Sequence, residues 1–95
     1  MDAASIPETA TVVAAPDVLA SEFGDEVVIL NLDDGVYYSL DHVGARVWSL
    51  LKSPVSVGAI RDVIVSEFEV DETRCLNDLR DILGNLVSRG LIRMQ

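Results

Sequence analysis

The sequence has few of the residues that build catalytic, metal or disulfide sites. Its 95 residues include one cysteine, Cys75, and one histidine, His42, which lie far apart in the chain. A single cysteine cannot form an internal disulfide, and a metal site needs several clustered ligands. Neither residue lies in a recognisable nucleophile motif, and none of the six glycines lies in a phosphate-binding loop. The sequence therefore predicts a protein without catalytic residues, metal or cofactor.

Long apolar runs are absent, and lysine and arginine are absent from the first 45 residues of the chain. No apolar run approaches the roughly 20 residues of a transmembrane helix, and the N-terminal segment lacks the basic stretch of a signal peptide. These features predict a cytoplasmic protein that does not enter a membrane. The net charge is −9, and the first lysine or arginine is Arg46. Because nucleic-acid affinity depends on basic contacts to phosphates, this charge disfavours nucleic acids and anionic membranes and favours a basic partner.

Three runs rich in β-branched and aromatic residues predict strands at residues 11–15, 26–32 and 36–40. Asp34-Gly35 lies between the second and third runs and indicates a hairpin with a type I′ turn. We expect a three-stranded antiparallel meander with the second run in the middle. Residues 18–23 are an alternative first strand, because Pro16 interrupts the first run.

Three segments with apolar residues at helical spacing predict helices. They span about residues 42–52, 57–68 and 72–89, and each follows a capping residue: Asp41, Ser56 and Asp71. Gly90 followed by Leu91 indicates a left-handed C-cap after the third helix. The order of elements predicts an α+β fold like a winged helix-turn-helix, with an N-terminal three-stranded antiparallel meander followed by three helices. Residues 1–10 are predicted to be a flexible tail and residues 11–95 the folded domain.

Winged-helix proteins often bind DNA, so DNA binding is one alternative function. The third helix carries Arg74, Arg80 and Arg89, as a recognition helix would. Acidic residues are interspersed among these arginines, and Asp78 lies one turn after Arg74, where it pairs with the arginine. On a strongly acidic chain this pattern favours a solvated helix face over a DNA-binding one.

The strand at residues 36–40 has one edge without a predicted partner. It lacks the proline and lysine residues that commonly protect such an edge. Strand periodicity separates its side chains into two faces, with Val36, Tyr38 and Leu40 on one and Tyr37 and Ser39 on the other. Either the third helix or the N-terminal tail covers this edge, or an extended peptide adds to it as a fourth strand.

The third helix would form the wall of such a peptide groove. Its apolar residues beside the strand are Leu76, Leu79, Ile82 and Leu83. Asp78 and Asp81 on the same helix are able to bind a lysine or arginine of the guest.

Several segments together resemble a known family. They are DDGVYYSLD, HVGARVWSLL, AIRDVIVSEFEVDETRCLNDL and LVSRGLI, in this order. Their order and spacing resemble the PqqD-like peptide-binding domains, also called RiPP recognition elements, and most of all the stand-alone forms of lasso-peptide biosynthesis. The resemblance covers about residues 18–91. Asp41 departs from the pattern, because asparagine is common there.

The resemblance implies a non-catalytic adaptor that needs no cofactor. Such domains bind the leader of a ribosomally made precursor peptide, which adds antiparallel to the third strand and lies beside the third helix. In lasso-peptide pathways the partner enzyme is a transglutaminase-like cysteine protease that removes the leader. Lasso leaders often carry a Tyr-x-x-Pro-x-Leu pattern, which implies apolar pockets. The peptide-binding residues implied for this chain are Val36, Tyr37, Tyr38, Ser39, Leu40, Cys75, Leu76, Asp78, Leu79, Ile82 and Leu83.

Two other functions remain open besides DNA binding. A PQQ-type peptide chaperone of a radical SAM enzyme belongs to the same family. A purely structural subunit would instead bury the same strand permanently against another protein. Among the residues named, Leu40 is expected to contribute to the core together with Trp48 and Leu86.

Overall fold

Two small antiparallel sheets and three helices build the fold in the computed structural model, which describes residues 6–95. The strands are β1 (Thr11–Ala14), β2 (Val18–Phe23), β3 (Glu26–Asn31), β4 (Tyr37–Asp41), β5 (Val55–Ser56) and β6 (Ile92–Met94). The helices are α1 (His42–Leu50), α2 (Val57–Phe68) and α3 (Glu72–Ser88). The strand orders are β2-β3-β4 in one sheet and β5-β1-β6 in the other. The α+β class and the meander preceding three helices are confirmed, while the likeness to winged-helix proteins stays a prediction.

The first strand of the meander is β2, so the assignment of residues 11–15 to that position was wrong. Residues 11–14 do form a strand, but β1 pairs with β5 and β6 in the second sheet. β2 joins β3 through the two-residue turn Gly24-Asp25, with Gly24 at φ +66°. Glycine at the first central position suits a type II′ turn, which connects neighbouring strands directly.

The β3–β4 hairpin is confirmed, but its turn is longer than the predicted type I′ turn. Asn31 and Val36 close a four-residue loop, with the Asn31 amide donating to the Val36 carbonyl at 3.0 Å. Within this loop only Gly35 has a positive φ, +71°. The side chains of Asn31 and Asp34 accept backbone hydrogen bonds from Asp33 and Val36, each at 2.9 Å. These side-chain bonds stabilise the longer loop.

The second and third helices begin as the sequence predicts. The side chain of Ser56 accepts a hydrogen bond from the Ala59 amide at 3.1 Å, and Asp71 accepts one from the Arg74 amide at 2.9 Å. α3 ends at Ser88, one residue earlier than predicted, and Gly90 follows with φ +72°. The left-handed C-cap is therefore confirmed.

The first helix begins at His42 as predicted, but its cap and its C-terminal end differ from the prediction. It stops at Leu50 instead of reaching residue 52, and the side chain of Asp41 makes no capping hydrogen bond. Asp41 is still part of β4, and His42 turns the chain directly from strand to helix with φ +47°. The His42 amide donates to the Asp25 carbonyl at 2.9 Å, and this bond ties the strand–helix junction to the β2–β3 turn.

Residues 6–10 pack on α2 and α3, although the sequence assigns residues 1–10 to a flexible tail. Ile6 is 1% exposed, and its carbonyl accepts a hydrogen bond from Arg80 Nε at 2.9 Å. The carbonyls of Glu8 and Ala10 accept the first amides of α2, which have no partner inside the helix. The mobility of residues 1–10 stays a prediction, and residues 1–5 lie outside the described part of the chain.

One core lies between the two sheets and the helices. It combines strand residues such as Val12 and Ile29 with helix residues such as Val47, Ile60 and Leu83, all fully buried. The expected core residues Trp48 and Leu86 are also buried, and Leu40 packs against the core while half-buried. The apolar face of α3 therefore packs in this core, where α3 contacts α2 and β6.

Candidate functional site

The candidate site begins at the free edge of β4. The order β2-β3-β4 places β4 at one end of its sheet, and within residues 6–95 it pairs only with β3. Asn31 bonds to Val36 at one end of the ladder, and the His42 amide bonds to Asp25 at the other. Because bonded and non-bonded pairs alternate along an antiparallel ladder, Tyr38 and Leu40 also point their backbone groups toward β3.

The remaining strand residues, Tyr37, Ser39 and Asp41, therefore direct their amides and carbonyls away from β3. These groups form a row of free donors and acceptors along the edge. Side chains alternate as the sequence predicts: Tyr38 and Leu40 are half-buried, whereas Tyr37 and Ser39 are exposed. The edge is thus able to accept another strand without disturbing the ladder to β3.

Tyr38 is held against the C-terminal end of α3. The guanidinium carbon of Arg89 lies 4.8 Å from the centroid of the Tyr38 ring, a cation–π distance. The Arg89 carbonyl accepts a hydrogen bond from Asn31 Nδ2 at 2.9 Å, and Asn31 is the one buried polar residue within residues 6–95. Asn31 therefore connects the β3–β4 hairpin to the end of α3.

A cavity of about 440 Å³ lies at the other end of α3. Its wall contains residues of all three helices and of the α2–α3 connection: Val43, Val47, Ile64, Val70, Asp71, Arg74, Cys75, Asp78, Leu79 and Ile82. Val43, in the cavity wall, comes two residues after the end of β4 in the sequence. Arg89, at the C-terminal end of α3, contacts Tyr38 near the start of β4. α3 therefore runs beside β4 in the opposite direction, with the cavity near the C-terminal end of β4.

The cavity is apolar inside and carries charges among its lining residues. Arg74 and Asp78 form the predicted pair, with Arg74 Nε 4.0 Å from Asp78 Oδ2. Cys75 is 6% exposed. Its burial, and secondarily the nearby Asp78 carboxylate, raise the pKa of the thiol, so the side chain is neutral at physiological pH. A neutral thiol contributes an apolar surface here.

A comparison with protein-family profiles identifies one family. The profile for the coenzyme PQQ synthesis protein D family, PqqD, matches residues 26–92. This chain belongs to the PqqD family. A comparison with curated proteins finds no match. The matched residues include the β3–β4 hairpin, all three helices and the start of β6, so the family region contains the whole candidate site of this PqqD-family protein.

Two solved structures share the fold of this PqqD-family chain. One is described as TbiB1 in complex with the TbiA(beta) leader peptide; it is 38% identical, with 85% of this chain and 94% of that chain covered and a TM-score of 0.80. The other is described as lasso peptide synthetase B1 complexed with the leader peptide; it is 21% identical, with 86% and 96% covered and a TM-score of 0.76. The second likeness shows the fold alone.

In the PqqD-family chain the predicted site residues occupy several different environments. Four helix residues, Cys75, Asp78, Leu79 and Ile82, line the cavity. Leu76 is half-buried outside the cavity wall, and Leu83 is fully buried in the core. The strand residues 37–40 form the free edge, and Val36 precedes it with 47% of its surface exposed. Contact between any of these residues and a guest stays a prediction.

Sequence reasoning missed several residues of the site in this PqqD-family protein. Val43 and Val47 fit the apolar stripe of the first helix and were assigned to no site. Asn31 gave no signal, and Arg89 was considered only as a DNA contact or as part of a solvated helix face, because each acts through a residue distant in the chain. Only the folded structure shows that α1 contributes to the cavity wall and that Arg89 covers Tyr38.

Metal-ligand clusters and membrane-spanning helices are absent from the described part of this PqqD-family chain. Residues 6–95 contain no group of three or more His, Cys, Asp or Glu side chains that could hold a metal ion. Within the same range, no helix is long and apolar enough to cross a membrane.

Proposed function

We propose that this protein is a non-catalytic adaptor that binds the leader region of a ribosomally made precursor peptide, of the lasso-peptide type. The observation that carries the proposal is the free edge of β4, together with an apolar cavity between the three helices near the C-terminal end of that strand. The 38% identical relative, described as a complex with a leader peptide, supports it. A guest strand would bond to the backbone of Tyr37, Ser39 and Asp41. Its alternate side chains would point toward α3.

The direction of α3 suggests how the leader lies. A leader antiparallel to β4 runs parallel to α3, since α3 and β4 have opposite directions. Its N-terminal part therefore lies near the cavity, where Val43, Cys75 and Leu79 receive an apolar side chain. Its C-terminal part passes Tyr38 and Arg89. Asp78, at the cavity, would attract a basic residue of the leader.

Delivery to an enzyme needs a second surface. The register places Leu19, Leu30 and Tyr37 in one row across the face of the sheet that points away from the core. Leu19 is 58% and Tyr37 67% exposed. We propose that a transglutaminase-like cysteine leader peptidase docks on this outer face in the cytoplasm. The PQQ-type chaperone of a radical SAM enzyme is the alternative partner arrangement.

An amide chemical-shift titration tests leader binding. Labelled protein is titrated with a synthetic leader carrying the Tyr-x-x-Pro-x-Leu pattern, with its scrambled sequence and with a DNA duplex. We expect the leader to shift the amides of residues 37–41 and of the 75–82 face of α3. The scrambled peptide and the duplex leave them unchanged.

Each outcome of the titration has a separate meaning. Shifts at these residues with the scrambled peptide as well would indicate a site without leader specificity. Duplex-induced shifts on α3 that weaken with salt would favour the DNA-binding alternative. If the leader leaves β4 and α3 unperturbed, the proposed leader site is wrong.

A further inference from the structure

A second free strand edge lies on β2, at the opposite end of the sheet from β4. β2 pairs only with β3 among residues 6–95, and residues 19–23 are all exposed. The strand contains neither proline nor lysine, and its one inward-facing charge, Glu22 beside Val27, disfavours pairing with an identical acidic edge but not with a basic strand. An edge of this kind is a template for another strand.

The ladder shows which backbone groups of this edge are free. The Leu32 amide donates to the Asp17 carbonyl at 3.1 Å, which makes these two residues a bonded pair. Since bonded and non-bonded pairs alternate, Val18, Ala20 and Glu22 direct their amides and carbonyls away from β3. Val18 is half-buried, so Ala20 and Glu22 are the accessible positions.

The outer face beside this edge exposes two large apolar side chains. Leu19 and Phe23 are 58% and 64% exposed, and strand periodicity puts both on the face that points away from the core. An added strand would place every second side chain next to these two residues. Apolar side chains at those positions would cover Leu19 and Phe23.

The negative charge around the edge favours the binding of a basic guest. Asp17, Glu22 and Glu26 have no ion-pair partner within residues 6–95. No lysine or arginine precedes Arg46 in the sequence. Arg46, which lines a shallow cavity with Glu22 and Glu26, is bound to Glu67 at 2.8 Å. The Glu22 side chain lies on the inward face of β2, opposite to the face that carries Leu19 and Phe23. A guest strand would therefore place basic side chains on the face of Glu22 and apolar side chains on the face of Leu19 and Phe23, so the two kinds would alternate along the guest.

We propose that the β2 edge binds an extended segment of a partner protein in which apolar and basic residues alternate. The site is separate from the leader edge, because β3 and β4 lie between β2 and a leader. Both edges are therefore able to hold a strand at the same time. A second copy of this chain is a poorer occupant, since it would bring two chains of charge −9 together.

The probe for this site is an acetylated and amidated heptapeptide of alternating lysine and valine. The same heptapeptide with glutamate in place of lysine is its control. In an amide chemical-shift titration of the whole chain, we expect the basic probe to shift Ala20 and Glu22 and their neighbours. The acidic control leaves these amide shifts unchanged. Added salt lowers the affinity of the basic probe, because it screens the attraction between its lysines and the acidic edge.

Two proline variants serve as matched controls for each other. Ala20→Pro removes a free amide of β2, and Ser39→Pro removes a free amide of β4, while neither removes a ladder bond to β3. We expect Ala20→Pro to bind the basic probe about tenfold or more weakly, because backbone bonds and strand fit are lost. We expect Ser39→Pro to bind the basic probe with unchanged affinity and to bind the leader more weakly. Glu22→Lys, which does not alter the backbone, also weakens the basic probe.

Several results would overturn this proposal. The basic probe could shift only the amides of β4, or it could bind Ala20→Pro and Glu22→Lys with the affinity of the unmodified protein. Equal affinities of the basic probe and the acidic control would also contradict the proposal. A dimer in sedimentation experiments that Ala20→Pro dissociates would assign the edge to a second copy instead. Leader binding to Ala20→Pro is measured separately, so failure here is distinguished from failure of the leader site.

Discussion

At the scale of single residues, two adjacent tyrosines belong to different surfaces. Tyr38 lies half-buried under Arg89, on the side of the sheet that faces α3. Tyr37 is 67% exposed on the outer face. Leu79 lines the cavity but is only 2% exposed and belongs to the core. Truncating Leu79 would therefore lower stability by about 2–5 kcal/mol, which makes it a poor test of binding.

Tyr38→Ala and Tyr37→Ala form a matched pair that tests the two surfaces. We expect Tyr38→Ala to weaken leader binding by about 1–3 kcal/mol, as for a packed aromatic anchor. Tyr37→Ala should change leader affinity by less than about 0.5 kcal/mol and instead slow leader removal by the partner enzyme. Calorimetric titration measures the affinities, and thermal unfolding checks that both variants are folded. Equal losses of leader affinity would contradict the assignment of the two tyrosines to opposite faces.

At the scale of elements, the ladder between β3 and β4 determines which backbone groups are free. The Ser39 amide points away from β3, whereas the Leu40 amide points toward it, as deduced from the bonded pairs at the two ends of the ladder. Proline is tolerated in a strand where its missing amide faces outward. Neighbouring positions in β4 should therefore respond very differently to the same substitution.

Ser39→Pro and Leu40→Pro test this geometry. We expect Ser39→Pro to fold and to bind the leader about tenfold or more weakly, because a bond to the guest is removed and the edge is distorted. Leu40→Pro should lower the free energy of unfolding by about 1–3 kcal/mol, since it removes a ladder bond and a half-buried side chain. Urea denaturation and calorimetric titration measure the two effects. Wild-type leader affinity in a folded Ser39→Pro variant would rule out strand addition at β4.

At the scale of the whole molecule, the N-terminal segment stabilises the helices that form the site. Ile6 is buried among core residues, and its carbonyl binds Arg80 on α3. Glu8 forms an ion pair with Arg61 of α2, whose side chain is only 16% exposed. The segment thereby connects α2 to α3, and α3 forms one wall of the groove.

Ile6→Ala tests this structural role against Thr9→Ala, an exposed position in the same segment. We expect Ile6→Ala to lower the free energy of unfolding by about 2–5 kcal/mol, as for other large-to-small core substitutions. Thr9→Ala should change it by no more than about 0.5 kcal/mol. Urea denaturation measures both values. Indistinguishable stabilities would mean that the segment is the flexible tail that the sequence predicts.

The amino-acid sequence by itself determined the features that depend on neighbouring residues. Ser56 and Asp71 cap their helices and Gly90 ends the third, because these side chains act on amides only a few residues away. The alternation along β4 follows from strand geometry alone. The resemblance to PqqD-like domains also came from the sequence, since its segments keep their order and spacing.

Tertiary structure alone decided the features that depend on distant residues. Strand propensity does not specify a partner, so residues 11–14 were assigned to the wrong sheet, although they were recognised as a strand. The same apolar pattern on α3 contains Leu83, which is fully buried, and Ile82, which lines the cavity. Arg89 reaches Tyr38 only because Asn31 and the core hold the end of α3 against the hairpin. Packing between elements produces these contacts, and no local rule encodes it.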